Sequence, residues 1–138
     1  MKEPQITASI VAKLNGVEDC FAKKRHSGKF GGGGEPDISG CYLGRSLFIE
    51  TKMYDGALTL LQAAALERWR KSGAATFVAI YDPVDKMLKI VALDGSESWE
   101  EFVGGKKIRE LYDESVNSRY ALRHFDFELW LTNEVHER

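Results

Sequence analysis

Asp37, Glu50 and Lys52 are the residues of this chain whose types and spacing could do chemistry. Two carboxylates can hold a hard divalent cation such as magnesium, which takes oxygen ligands and keeps several waters. Set against a phosphodiester, that cation polarises a phosphoryl oxygen, acidifies a bound water and shields the leaving oxygen. The backbone carbonyl of Thr51, between Glu50 and Lys52, is a reasonable third protein ligand. Lys52 would orient or activate the attacking water, or stabilise developing charge. Acting as a base requires it neutral, and burial and a nearby cation both push its pKa that way. Sequence leaves that choice open. Each residue also has a duller reading: Asp37 after Pro36 could simply leave a turn, and Glu50 with Lys52 could form a solvated strand face. Their combination, with a helix directly after, favours a small metal-dependent nuclease.

The three must be brought together by a hairpin. Residues 38–43 and 46–53 read as its strands, turning at Gly44-Arg45. In the second strand Leu47, Ile49, Thr51 and Met53 lie on one face, and Ser46, Phe48, Glu50 and Lys52 on the other. A two-residue loop pairs Leu43 with Ser46, which sets Asp37 opposite Lys52 and Ser39 opposite Glu50. A three-residue loop would send Asp37 to the wrong face, because a slip of one residue inverts every side chain. The expectation is an even-length turn, or a bulge that restores the parity.

Around the hairpin, residues 4–15 read as a helix with Pro4 in its first turn and Ile6, Ile10 and Leu14 on one stripe. Asn15-Gly16 would end it through a residue at positive φ. Residues 18–26 read as a strand. The glycines at 31–34 suit a loop, either merely a flexible surface or space for a nucleic-acid backbone beside Asp37. Thr59-Leu60-Leu61-Gln62 has the form of a capping box and opens a helix to about Ser72, with Gly73 as its stop. Leu58, Leu61, Ala65 and Trp69 should face the sheet. Gln62 either serves that cap alone or reaches toward a bound water or phosphate. Residues 76–81 should be a central strand and 87–93 its neighbour. A broken helical region is expected over 98–116, starting at a second capping box at Ser98. A last strand is expected over 124–132, where it could form an edge facing a partner.

At 138 residues the chain is expected to be one domain, 1–138. No leader-like segment or membrane-length apolar run is indicated. Cys20 and Cys41 lack metal or redox spacing and read as reduced thiols, and His26, His124 and His136 make no zinc pattern. A net charge of −2 is unusual for a nucleic-acid binder. However, Lys23, Lys24, Arg25, His26 and Lys29 form one basic cluster, and Lys106, Lys107 and Arg109 a second. Local patches of this kind can engage phosphates.

Glu35-Pro36-Asp37, Phe48-Ile49-Glu50-Thr51-Lys52, the run GALTLLQ from Gly56 to Gln62, and Glu3 with Ile6, Ile10 and Leu14 together resemble the PD-(D/E)xK nuclease superfamily. They look most like its VRR-NUC group, over residues 3 to about 93. The glycine-rich loop before Pro36 and Thr51 in place of the commoner valine depart from the pattern. The resemblance implies an α+β mixed sheet, a restriction-endonuclease-like αβββαβ core with a C-terminal helix and strand extension. It also implies a Mg2+ or Mn2+ cofactor and hydrolysis of DNA. By position, Asp37 and Glu50 would be metal ligands, Lys52 the catalytic lysine, Gln62 the signature glutamine and Glu3 an outer metal-side carboxylate. Small stand-alone members look like homodimers that cut four-way junctions, encoded by phages or mobile elements and acting in the cytoplasm. The competing readings are a flap-, end- or site-specific nuclease, and a nucleic-acid-binding module that keeps the scaffold without turnover.

Overall fold

The computed structural model describes residues 2–25, 34–93, 98–101, 108–114 and 121–122. Helix α1 spans Glu3–Asn15, and strands β1 (Cys20–Lys24), β2 (Ile38–Tyr42) and β3 (Arg45–Met53) follow. Helix α2 (Leu60–Lys71) crosses over to β4 (Ala75–Asp82), and β5 (Met87–Val91), α3 (Ile108–Glu114) and β6 (Ala121–Leu122) complete the order. The strands form one sheet in the order β1-β2-β3-β4-β5-β6. Only β3 and β4 run parallel, as a helical crossover requires; the other neighbours are antiparallel. This is the expected mixed sheet with an αβββαβ core.

The sheet is buried on two sides by different means. On one face Ile6, Ile10 and Leu14 of α1 pack on Ile38, Leu47, Ile49, Phe77 and Ile90. On the other, Ala63 and Leu66 of α2 and Ile108 and Leu111 of α3 pack on Val78, Ile80 and Val91, around a fully buried Trp99. Trp99 donates its indole N–H to Thr76 Oγ1 at 2.9 Å, so its polar end is satisfied inside the core. Buried Lys89 donates to the Tyr112 carbonyl at 2.9 Å and sits 3.7 Å from the centroid of the Tyr112 ring, tying α3 to β5.

The hairpin keeps the expected parity in a different register. Tyr42 pairs with Arg45 and Ile38 with Ile49, so the loop is Leu43-Gly44 rather than Gly44-Arg45. Both loop residues have positive φ, 49° and 84°, as a two-residue type I′ turn demands. Such turns favour glycine second, and putting Gly44 there shifts the pairing by two residues. Asp37 therefore comes across from Glu50, one step beyond the Ile38 and Ile49 pair, instead of across from Lys52.

Three further expectations are corrected. Gly16 stays right-handed at φ −83°, and the positive φ falls on Asp19 at 63°. Leu61 is 59 % exposed, because α2 lays its narrow side (Ala63, Leu66) on the sheet, where a small side chain permits close approach. Strand β1 is shorter than 18–26, and β5 ends at Val91. Gly73 does stop α2, at φ 101°, with Gly73 N–H to the Arg70 carbonyl and Ala74 N–H to the Trp69 carbonyl. The Ser98 cap forms too, with Glu101 N–H donating to Ser98 Oγ at 3.1 Å. His26, Lys29, Gly31 to Gly33, Lys106, Lys107, Val116 and the strand expected over 124–132 lie outside the described residues. Among the described residues, no helix is long and apolar enough to cross a membrane.

Strand β1 is a sheet edge, and Asn15 blunts it. Its side chain donates to the Ala22 carbonyl at 2.9 Å and accepts from the Ala22 N–H at 2.8 Å, like one residue of an absent strand. Asn15→Ala is expected to lower unfolding free energy by about 1–2 kcal/mol, read from urea titration, since both backbone groups lose their partner. An unchanged midpoint would show that water replaces the side chain at no cost.

Candidate active site

Parity on β3 and the turn chemistry of the hairpin bring two carboxyls face to face. Asp37 Oδ2 accepts the Thr51 N–H at 2.9 Å, which pins the aspartate to the strand that carries Glu50 and Lys52. The Asp37 carbonyl accepts the Arg25 N–H at 2.7 Å and so joins β1 to the site. Glu50 is 2 % exposed and Lys52 8 % exposed. Burial pushes the Glu50 carboxyl up to about 10, with the hydrogen bond and charge of Asp37 adding to it and Lys52 opposing. Glu50 is thus held toward its protonated form, by burial first and by the neighbouring Asp37 second.

Glu3 reaches the same place from the start of α1. Burial raises its carboxyl, while Lys52 lowers it, Asp37 raises it and the nearby Met53 backbone lowers it. Glu3, Asp37, Glu50 and Lys52 therefore feel one another. Gly56 leaves room at the Lys52 stem: a Cβ there would stand 3.9 Å from Lys52 Cδ and only 3.1 Å from the Met53 carbonyl oxygen.

Whether this set suits a hard cation is tested by its unsatisfied atoms. Among the described residues, Glu50 Oε2 is a buried oxygen with no hydrogen-bond partner. An oxygen of that kind, facing a second carboxyl, fits a cation that would let Glu50 ionise. Among the described residues no three histidine, cysteine, aspartate or glutamate side chains gather as a metal cluster. The donors are then a carboxylate pair with backbone oxygen, which suits magnesium because it retains waters and takes substrate oxygens. Glu3 stays within electrostatic reach without closing a three-carboxylate set.

Gln62 takes the local role. Its Oε1 accepts the Thr59 N–H at 3.0 Å, and its own N–H donates to Thr59 Oγ1 at 3.1 Å. No contact among the described residues ties it to Asp37, Glu50 or Lys52.

Lys23, Lys24 and Arg25 stand beside the site, where with Ser39 and Phe48 they line an open hollow of about 770 Å3. The sequence reading missed the wall of that hollow. Phe48 stacks on Trp69 with ring centroids 4.0 Å apart. Glu35 joins the parts, accepting from Trp69 Nε1 at 3.3 Å and pairing with Arg25 at 3.5 Å. Phe48 shares the face of Glu50, which was a signal; the partnership with Trp69 needs the tertiary fold.

No protein-family model matches the sequence, and no curated protein matches it. Among solved structures, the fold is similar to Hjc, a Holliday junction resolvase from the archaeal hyperthermophile Archaeoglobus fulgidus. The two are 21 % identical and superpose with a TM-score of 0.52, over 80 % of this chain and 98 % of the other. At that identity the likeness is one of fold. This chain has the restriction-endonuclease-like fold.

Proposed function

We propose that this protein is a divalent-metal-dependent DNA endonuclease of the PD-(D/E)xK superfamily, of VRR-NUC type, that cuts four-way junctions. The observation that carries the reading is the buried Glu50 carboxyl set against half-buried Asp37 and beside Lys52, with one glutamate oxygen unpartnered among the described residues. Asp37, Glu50 and the Thr51 carbonyl would hold Mg2+ or Mn2+. When bound, the metal supplies charge neutralisation at the phosphoryl group and a more acidic water. Asp37 is held through Oδ2 by the Thr51 N–H, and its second oxygen would serve the cation. Lys52, nearly buried, places a positive charge where negative charge develops on the phosphoryl oxygens. Glu3 lies within electrostatic reach of that lysine, and Gln62 has an amide nitrogen left over for substrate. The fold it shares with a junction resolvase supports the choice of substrate. A homodimer would present two sites to a two-fold junction.

The test is a cleavage panel of four-way junction, flap and linear duplex with magnesium, manganese or calcium, together with a light-scattering mass. Paired cuts in the four-way junction with magnesium or manganese, from a dimer, are expected. Cutting of flaps or duplex alone would replace the junction assignment, and no cutting of any DNA would leave a binding module.

A further inference from the structure

Beyond the reach of α2, one face of the sheet has no cover among the described residues. It is the face of Asp37 and Glu50, continued over β1 and β2. Register puts Phe21 beside Cys41, and Lys23 beside Ser39 and Phe48, all on this side. Its floor is small and polar, from Ser39 to Cys41 and Ser46. Lys23 and Lys24 are exposed, and Arg25 is half-buried against Glu35. At the far end Phe21 is 67 % exposed on an edge strand and belongs to neither core cluster of the described residues. Four residues of strand separate it from Arg25, about 13 Å, enough for a short run of nucleotides between them.

We propose that this face is the track for a DNA strand leaving the carboxylate pair, with Phe21 as a base-stacking contact at its end. The inference rests on the nuclease reading and deepens it by naming the substrate form: nucleotides unstacked at a branch. Charge complementarity favours a polyanion, since Lys23 has no carboxylate partner among the described residues and Glu35 offsets only Arg25, while Lys24, paired with Ile38, alternates to the other face at the strand's end. The Phe48 and Trp69 stack walls the track and would keep the strand on the hairpin side. An intact duplex, with its bases already stacked, gains little from Phe21, whereas a splayed strand gains a ring face.

Two measurements test the track. In calcium, Phe21→Ala should weaken binding of a four-way junction and of a splayed-arm duplex about tenfold, leave linear duplex unchanged, and be rescued by Phe21→Trp. Equal affinities for wild type and Phe21→Ala would overturn the stacking contact. The second uses the wild-type protein: Cys41 is exposed on the track and Cys20 is half-buried on the opposite face. Saturating junction DNA should slow maleimide labelling of Cys41 and not of Cys20, read by mass spectrometry. Unchanged Cys41 labelling overturns the track. So does protection that rises with protein concentration in the absence of DNA, which would assign the face to a second copy of the chain. The footprint needs no cleavage, so failure of the nuclease reading and failure of the track are told apart.

Discussion

Replacing Glu50 with Gln is expected to cut cleavage about a thousandfold, the equivalent of several kcal/mol of lost transition-state stabilisation, and to stabilise the metal-free protein. The first effect follows from removing one of two anionic ligands. The second follows from burial. Folding raises the Glu50 carboxyl from an ordinary 4.5 to about 10, chiefly by desolvation and then through Asp37. Below the lower value the acid is protonated in both folded and unfolded chains, and stability does not depend on it. Between the two values the unfolded chain ionises and the folded one holds its proton, so stability falls as pH rises. Above the upper value both are ionised and the loss is complete. Gln cannot ionise, and its amide N–H can donate to Asp37 in place of the protonated Glu50 carboxyl. At pH 7 the variant should therefore gain about 1–3 kcal/mol, discounted from about 1.4 kcal/mol per pH unit. Urea titrations in chelator at pH 5, 7 and 8.5 would read it as a widening gap between variant and wild type. A gap that stays constant over that range would show Glu50 already ionised in the folded protein.

That trade of stability for activity follows from features only partly visible along the chain. The parity of Phe48, Glu50 and Lys52 was legible because a strand alternates strictly, and an even turn was legible because only it unites Asp37 with them. The register was not, since Gly44 satisfies a two-residue turn from either loop position and only the preference of type I′ turns decides between them. The outcome sets Asp37 against Glu50, an acid against an acid, and this adds to the burial that raises the glutamate. The depth of Glu50 was hidden as well. It depends on which side of α2 meets the sheet, and the larger leucines suggested Leu61 where the structure uses Ala63 and Leu66. Gln62 shows the reverse case: its capping box was fully local, and the structure contains both halves of it. Arg25, Glu35 and Trp69 meet across 34 residues between the last two, a separation that no local pattern can encode. The αβββαβ order was the most legible part, because each element carries its own periodicity and stop signal.

Metal binding should expel a proton. The same carboxyl that stays protonated beside Asp37 in the metal-free protein must ionise to become a ligand, since a neutral acid offers little to a dication. Titration with Mn2+ at pH 7, measured calorimetrically in two buffers of different ionisation enthalpy, is expected to release about one proton per ion. Over the range where Glu50 is protonated in the free protein, affinity should then rise about tenfold per pH unit. Glu50→Gln should bind more weakly and release none, while Lys52→Met, which keeps both acids, should still release a proton. Lys52 lowers Glu50 by its charge, so removing it raises the acid further and steepens the competition between proton and metal. Release from wild type and Lys52→Met, with none from Glu50→Gln, places the exchanged proton on Glu50. Equal release from wild type and both variants would place it elsewhere and remove Glu50 from the ligand set.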